Sequence, residues 1–231
     1  MSQTFAQELE ARTATATSDG PEWLEPVRRA AMERFAATGF PTSKNEEWRF
    51  TPIGPIAQAA WKPAPPTARL KRAALQEFVF GHPEWSTLVF VNGFYREDLS
   101  STTKLEDGLR LSTLSEVLRS DGQLLQAHLG RHATIGSSPF TALNTAVARE
   151  GALVHVSASA DLTRPIHLVF VTTRDAVASV VQARNLIVVE RSARAAVIES
   201  YVTIAPGTVY WTNTVSEVVV GPNAWLEHTR I

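Results

Sequence analysis

Residues 151–231 form a continuous succession of short apolar runs, with no segment of helical length between them. β-Branched residues dominate the runs, and Gly, Pro, Asn and Ser separate them, which predicts a series of short strands. The predicted strands are Leu153–Val156, Ile166–Val171, Val177–Val181, Leu186–Val189, Ala195–Val202, Val209–Val215, Val218–Val220 and one that begins at Trp225. The last third of the chain is therefore expected to be a β-structure.

Small turn residues precede three of these strands in a similar way. Gly151, Ser192 and Asn223 are each followed by Ala and then by a strand, and the spacing between them is uneven. Such spacing suits a β-solenoid, in which coils of variable length each bury one face against the next. An antiparallel sandwich with a turn about every 8 to 12 residues fits the same pattern. Both folds remain open at this point.

Composition excludes several classes of function. The 231 residues include no cysteine, so this chain by itself offers no disulfide, thiol nucleophile or thiolate ligand for zinc or an iron–sulfur cluster. A net charge of −1 gives no reason to expect nucleic acid or an anionic membrane as a partner. Residues 1–8 do not resemble a signal peptide, and no apolar run is long enough to span a membrane. We therefore expect a cytoplasmic protein.

The chain begins with a low-complexity stretch and then a helical region. Residues 1–20 are predicted to be a flexible lead-in, and residues 21–66 a helical N-terminal region. Apolar residues between Trp23 and Phe35 recur at helical spacing, and Gly39 is placed to end this helix in a left-handed conformation.

A dense mixture of charged and aromatic residues follows at 41–51. Thr42 and Ser43 are candidate N-caps there, and the simplest interpretation is a short helix that packs Trp48 into a core. The prolines within residues 63–66 then indicate a stiff connector and a boundary between sub-domains.

Residues 67–150 are predicted to be a mixed α/β segment. Asn92-Gly93 between two apolar runs predicts a β-hairpin near residues 86–98, because this pair accepts the positive φ angles of a two-residue turn. Leucines within 114–129 predict two short helices separated at Asp121-Gly122, and Ser138-Pro139 begins a third that ends near Gly151.

The histidines give no clear metal motif. His128 and His132 have the i, i+4 spacing of helical metal ligands, but Gly130 weakens the helix and no Glu stands between them, so we interpret them as helix-end surface residues. Histidines in or beside predicted strands are expected to be hydrogen-bonded structural residues: His155, His167 and His228.

Acidic residues near the strands allow a catalytic alternative. Glu190, Glu199, Glu217 and Glu227 could supply a general acid and base, as in β-helix carbohydrate-active enzymes. They occur singly on their strands, however, which favours solvated positions on the outer face. We therefore assign no catalytic, cofactor-binding or metal residue.

Several segments together resemble the SufB/SufD family of iron–sulfur cluster assembly scaffolds, and its SufD branch in particular. The first is Pro41-Thr42-Ser43-Lys44-Asn45-Glu46-Glu47-Trp48-Arg49-Phe50-Thr51, which is similar to an N-terminal signature of that branch. The others lie at 88–93, 99–100, 142–146, 151–152, 164–168, 184–190, 199–201 and 226–228.

The resemblance implies a helical N-terminal region followed, over residues 151–231, by the first coils of a right-handed parallel β-helix. It implies a non-enzymatic scaffold that works with SufB and the SufC ATPase. In that family the nascent cluster forms at the SufB–SufD interface and SufC docks on a C-terminal helical segment, so no cofactor is expected in this chain itself.

The sequence stops within the expected β-helix, so counterparts of the distal coils, the SufC-docking helices and the cluster-proximal histidine are not present in it. We expect this incomplete β-helix, whether a fragment or a truncated product, to self-associate through its exposed last coil. The functional alternatives are a β-helix carbohydrate-active enzyme that uses strand-borne Glu residues and a stand-alone binding module.

Overall fold

The fold is described from a computed structural model that covers residues 11, 20–66, 70–78, 82, 84–102 and 104–231. The predicted lead-in at 1–20 lies almost entirely outside these residues. Helix α1 spans Leu24–Thr38, and its end is the predicted one, because Gly39 has a φ of 63° and its N–H donates to Phe35 O at 2.8 Å.

The segment at 41–51 folds differently in detail from the prediction. It contains a single 3₁₀ turn at Glu46–Trp48, and neither Thr42 nor Ser43 caps it. Instead Thr42 Oγ1 accepts from the N–H of Lys44 at 3.3 Å, and Asn45 Oδ1 accepts from the N–H of Thr42 at 2.9 Å, so both hydrogen bonds lie before the 3₁₀ turn. Trp48 is half-buried against the ring of Phe140, with ring centroids 5.0 Å apart.

Short elements connect this segment to the first sheet. Helix α2 spans Gly54–Gln58, and strand β1 spans Lys62–Pro63. β1 pairs in parallel with residues 179–180, so part of the predicted proline connector is a two-residue edge strand.

The middle of the chain confirms the predicted hairpin and helices. Strands β2 (Ser86–Val91) and β3 (Phe94–Tyr95) are antiparallel, and the turn between them has positive φ at both Asn92 and Gly93. Strand β4 then spans Leu109–Thr113. Three helices precede the β-rich third: α3 (Leu114–Ser120), α4 (Gly122–His128) and α5 (Pro139–Val147).

The last third contains six strands instead of the eight runs predicted. They are β5 Ala152–Val156, β6 Ile166–Thr172, β7 Ser179–Val189, β8 Arg194–Thr203, β9 Trp211–Val220 and β10 Trp225–Arg230. Two pairs of predicted strands are in fact single long strands, β7 and β9. The polar residues between the predicted runs lie within these two strands.

Consecutive strands alternate between two sheets. β5, β7 and β9 lie in the first sheet with β1 and β4, whereas β6, β8 and β10 lie in the second with β2 and β3. Every pairing among β5–β10 is parallel. The antiparallel sandwich is therefore wrong, and the chain is a mixed α/β fold with N-terminal helices and largely parallel sheets.

Three of these strand pairs share one offset in sequence between register partners. The partners are Val180 and Trp211 in β7–β9, Ile166 and Val197 in β6–β8, and Arg194 and Trp225 in β8–β10. A constant offset means that the chain advances by the same number of residues each time it returns to a sheet, as in a repeating coil.

The parallel register aligns like side chains between neighbouring strands. Phe90, Phe170 and Tyr201 are register partners on β2, β6 and β8. Their rings stack nearly parallel, with centroids 5.0 and 4.8 Å apart. Such a ladder requires that each strand repeat the position of the one before it.

The main core draws apolar side chains from both sheets, and helices cover the other face of the first sheet. Ile166, Ile187 and Val197 belong to this core and are almost fully buried. Phe35 of α1, Leu143 of α5 and Trp211 of β9 form a second core on the helical side. Across the part of the chain that the structure covers, no helix is both long enough and apolar enough to cross a membrane.

Candidate functional site: two buried carboxylates on the parallel strands

The four acidic residues singled out from the sequence occupy different environments. Glu227 is exposed, and the side chain of Glu190 is 44% exposed beside His155. The prediction of solvated positions is wrong for Glu199 and Glu217, whose side chains have no exposed surface. The four carboxylates do not converge on one cleft, because the two buried ones have separate sets of partners.

Glu217 is held by one arginine and by three backbone amides. Arg184, its neighbour on β7, donates to Oε1 from Nη2 at 2.7 Å and from Nε at 3.1 Å. The N–H of Gly130 donates to Oε1 at 2.7 Å, and those of His132 and Ala133 donate to Oε2. We call Glu217, Arg184 and these three amides the Glu217 cluster.

The Glu217 cluster extends to helix α5 through polar side chains. Arg184 Nη1 also donates to Asn144 Oδ1 and Thr145 Oγ1, both on α5. Asn144 Nδ2 donates to the backbone carbonyls of Ala183 and Asn213, at 2.8 and 2.9 Å. The cluster thus fixes the turn after α4, helix α5 and two strands to one another.

The electrostatic balance of this cluster keeps its carboxylate ionised. Burial raises the pKa of Glu217, but the charge of Arg184 and the hydrogen bonds from Gly130 and Ala133 outweigh it, so the pKa lies below its usual value. A carboxylate with so many donors has no capacity left to act as a general base, and its geometry is that of a structural anchor.

Glu199 lies on β8, on the face that points toward the other sheet. Its Oε1 accepts from Ser216 Oγ at 2.7 Å and contacts His228 Nε2 at 3.0 Å. Its Oε2 accepts from the hydroxyl of Tyr201, and Arg230 Nε lies 3.8 Å away. We call these five residues the Glu199 cluster, and it joins β8, β9 and β10.

The Glu199 cluster holds a second ionised carboxylate. Burial raises the pKa of Glu199, and the hydrogen bonds from His228, Tyr201 and Ser216 more than offset this, so its pKa is lowered. Burial and the charge of Glu199 raise the pKa of Tyr201. The side chain of His228 is 27% exposed, so it connects the buried carboxylate to solvent.

The remaining histidines have local partners. His128 and His132 lie at and just after the end of α4, with ring nitrogens 3.4 Å apart, and burial together with the charge of His132 lowers the pKa of His128. His155 Nε2 lies 2.8 Å from Glu190 Oε1. The described residues contain no group of three or more His, Cys, Asp or Glu side chains that could hold a metal ion.

His167 gives a testable pH dependence. It is fully buried on β6, its Nε2 lies 2.8 Å from Ser200 Oγ, and burial lowers its pKa from 6.5 to about 4. The unfolded chain binds the proton at this histidine more tightly than the folded chain does. The contribution of His167 to stability is therefore fully present above pH 6.5 and decreases as the pH falls toward 4. We expect a loss of about 2 kcal/mol between pH 7.5 and 5 by urea denaturation.

His167→Gln provides the comparison, because glutamine keeps a polar side chain at this position and cannot titrate. The difference in unfolding free energy between the native chain and His167→Gln should change by that amount over the same pH interval. Parallel profiles for the native chain and His167→Gln would contradict the assignment.

Two family models match this chain. The model of the SufBD protein N-terminal region matches residues 1–168. The model of the SUF system FeS cluster assembly SufBD core domain matches residues 170–231. The chain belongs to the SufBD family. The second of these models describes a domain of the SUF system of FeS cluster assembly.

Two curated proteins are similar to this SufBD family chain. An iron–sulfur cluster assembly SufBD family protein of Synechocystis is 32% identical over 233 residues, which cover 97% of this chain and 51% of that protein. The chloroplastic protein ABCI7 of Arabidopsis thaliana is 24% identical, over 90% of this chain and 44% of that protein. The chain thus spans about half the length of these relatives.

Both buried carboxylate clusters were missed by reasoning from the sequence. Polar residues within apolar strands were the available signal: Arg184-Asn185 interrupts β7, and Ser216-Glu217 interrupts β9. In register, Asn185 opposes Ser216, and the Asn185 side chain donates to Ser216 Oγ at 3.2 Å. Matching polar interruptions in two such strands could have indicated paired, buried polar groups in a SufBD core.

Proposed function

We propose that this chain is part of a scaffold subunit of the SufD branch, which assembles iron–sulfur clusters together with SufB and the SufC ATPase. The scaffold carries out no bond chemistry of its own and has no resident cofactor, because the nascent cluster is its cargo at the SufB–SufD interface. Its place of action is the cytoplasm.

The observation that carries the proposal is the in-register parallel pairing of β5–β10, with the same sequence offset in three pairs. We further propose that these strands are the first coils of a right-handed β-helix. A β-helix presents long, rigid surfaces and strand edges, which suits a protein that holds others. The two buried carboxylates support this function, since their donors join strands to strands and to α5.

Co-purification tests the proposed partners. The natural full-length protein, tagged and expressed at its native level in its own host, should recover SufB and SufC when the bound proteins are identified by mass spectrometry. The control is the same host with an untagged protein. Recovery of neither partner from cells that contain both would refute the proposal.

The carbohydrate-active alternative is not favoured, because Glu190, Glu199, Glu217 and Glu227 do not come together. Incubation of the purified protein with acidic polysaccharides should release no new reducing ends or unsaturated products. Turnover that Glu199→Gln or Glu190→Gln abolishes would overturn the scaffold assignment.

A further inference from the structure

Two histidine side chains face each other at the end of helix α4. His128 is the last residue of α4 and is half-buried, whereas His132 is exposed in the turn that follows. His128 Nδ1 and His132 Nε2 lie 3.4 Å apart, and the two rings are stacked with their centroids 5.6 Å apart. We call these two side chains the histidine pair. The scaffold function proposed above does not use their imidazoles.

The backbone between the two histidines is held in place by a turn and by the Glu217 cluster. Gly130 has a φ of 76°, and the N–H of Arg131 donates to His128 O at 3.1 Å. The N–H of His132 donates to Glu217 Oε2 at 2.8 Å. Gly130 therefore does end the helix, but the turn that it allows brings His132 back beside His128. Ligands that the surrounding structure already positions lose little conformational freedom when an ion binds.

The distance between the two ring nitrogens fits chelation of an ion better than a direct hydrogen bond. Hydrogen bonds from N–H to oxygen in proteins are about 2.7 to 3.2 Å long, and the 3.4 Å contact between the rings is longer. Zinc–nitrogen bonds are about 2.0 to 2.1 Å long, so two nitrogens on one tetrahedral zinc ion lie about 3.3 Å apart. The observed separation is therefore close to that of two ligands on one ion.

The chemistry of imidazole selects the class of ion. Neutral imidazole binds zinc, copper and nickel, whereas magnesium and calcium prefer oxygen ligands. An ordinary histidine has a pKa of about 6.5 and is therefore mostly neutral at pH 7.5. Among the charged groups that act on His128, Glu217 favours a bound cation, and Arg131 and His155 oppose it. The ring nitrogens, more than the surrounding charge, would therefore supply the affinity.

We propose that His128 and His132 form an exchangeable binding site for one divalent transition-metal ion, with zinc as the ion that best fits their spacing. The described residues supply no group of three or more His, Cys, Asp or Glu side chains for a metal, so the remaining coordination positions belong to water or to a donor from another molecule. Open positions distinguish such a site from a closed structural zinc site, in which the protein supplies all four ligands.

Calorimetry tests whether the ion binds. Isothermal titration calorimetry at pH 7.5 would compare zinc chloride with magnesium chloride, using the full chain prepared without a polyhistidine tag. One Zn²⁺ ion should bind per chain, and Mg²⁺ should bind at least tenfold more weakly, because it prefers oxygen ligands. Absence of Zn²⁺ binding, or equal binding of the two ions, would refute the proposal.

Substitutions then locate the ion. His128→Gln and His132→Gln should each raise the dissociation constant for Zn²⁺ by at least about tenfold, since even the loss of a residue behind a ligand costs about 10- to 100-fold. The control is His82→Gln, because His82 is exposed and its ring stacks on Trp85 instead of on another histidine. This control should bind as the native chain does. Circular dichroism would verify that the three variants are folded, and equal affinities in all three would overturn the assignment.

Nuclear magnetic resonance gives a second readout that does not depend on the variants. The chain contains six histidines, and zinc is diamagnetic, so the ring nitrogens of each can be followed during a titration. Less than one equivalent of Zn²⁺ should shift the resonances of His128 and His132 together. A shift confined to His155, whose Nε2 lies 2.8 Å from Glu190 Oε1, would place the ion at that pair and contradict the proposal.

Discussion

Replacement of Gly151 with alanine is expected to prevent stable folding. Gly151 immediately precedes β5 with a φ of 157°, and a Cβ added there would overlap Arg184 O and lie 2.6 Å from its carbonyl carbon. Both contacts are to backbone of β7, so relief requires that two strands of the first sheet separate. We expect a loss of more than about 4 kcal/mol in the free energy of unfolding, measured by urea denaturation.

Gly136→Ala is the matched control. A Cβ added at Gly136 meets nothing within 4 Å. Alanine also restricts the unfolded chain, so the substitution should change stability by no more than about 1 kcal/mol and is expected to be stabilising. If both alanine variants unfolded at the same urea concentration, the close approach of Gly151 to β7 would be wrong.

Removal of the positive charge from the Glu217 cluster should be nearly as damaging. In Arg184→Met, the Glu217 carboxylate stays buried and loses the cation that contributes most to its lowered pKa. Breaking one side of a buried ion pair costs about 3 to 5 kcal/mol, because the remaining charge is uncompensated. Urea denaturation at pH 7 would measure this loss.

The pH dependence of Arg184→Met distinguishes lost charge from lost packing. In the native chain, the lowered pKa of Glu217 contributes stability that is present above the unfolded pKa and is lost as the pH falls. In the variant we expect this pKa to be raised, so protonation at low pH relieves the penalty and the deficit becomes smaller. A deficit that is constant with pH would contradict the electrostatic explanation.

Arg110→Met is the control for this substitution. Arg110 forms an ion pair with Asp121 at 2.6 Å, but the two side chains are 39% and 42% exposed. Exposed pairs contribute about 0 to 1 kcal/mol, so this variant should remain within that range. A loss comparable to that of Arg184→Met would show that burial is not the deciding factor.

Features of the fold that depend on neighbouring residues could be predicted from the sequence. Asn92-Gly93 predicts its hairpin because the backbone of both residues must adopt positive φ. Ser138 caps α5 by accepting from the N–H of Phe140, and Gly39 ends α1. In each case the chemistry that decides the structure lies within about one turn of the chain.

Features that depend on distant residues could not be predicted in this way. The sequence pattern predicts that Arg184 and Asn185 lie between two strands, because their buried partners, Glu217 and Ser216, are on a strand much later in the sequence. The missed strand β4 is different, since Leu109 and Leu111 alternate with polar residues, and this period of two was a usable signal. The domain boundaries proposed from the sequence remain predictions.

Parallel pairing at a constant sequence offset is the claim on which the fold and the proposed scaffold function both depend. Because the chain has no cysteine, pairs of introduced cysteines can test the strand pairing without competing disulfides from native cysteines. Ala196 and Glu227 are register partners on β8 and β10. An antiparallel arrangement with a turn at residues 221–224 would instead place Glu227 beside Val218 of β9, which in this structure belongs to the other sheet.

The decisive measurement is disulfide formation under mild oxidation at low protein concentration, read by the mobility of the monomer in non-reducing gels. Neighbouring strands lie about 4.8 Å apart, within reach of a disulfide bond. The parallel fold predicts rapid cross-linking in Ala196→Cys/Glu227→Cys and none in Val218→Cys/Glu227→Cys. Cross-linking of the second pair but not of the first would contradict the parallel fold.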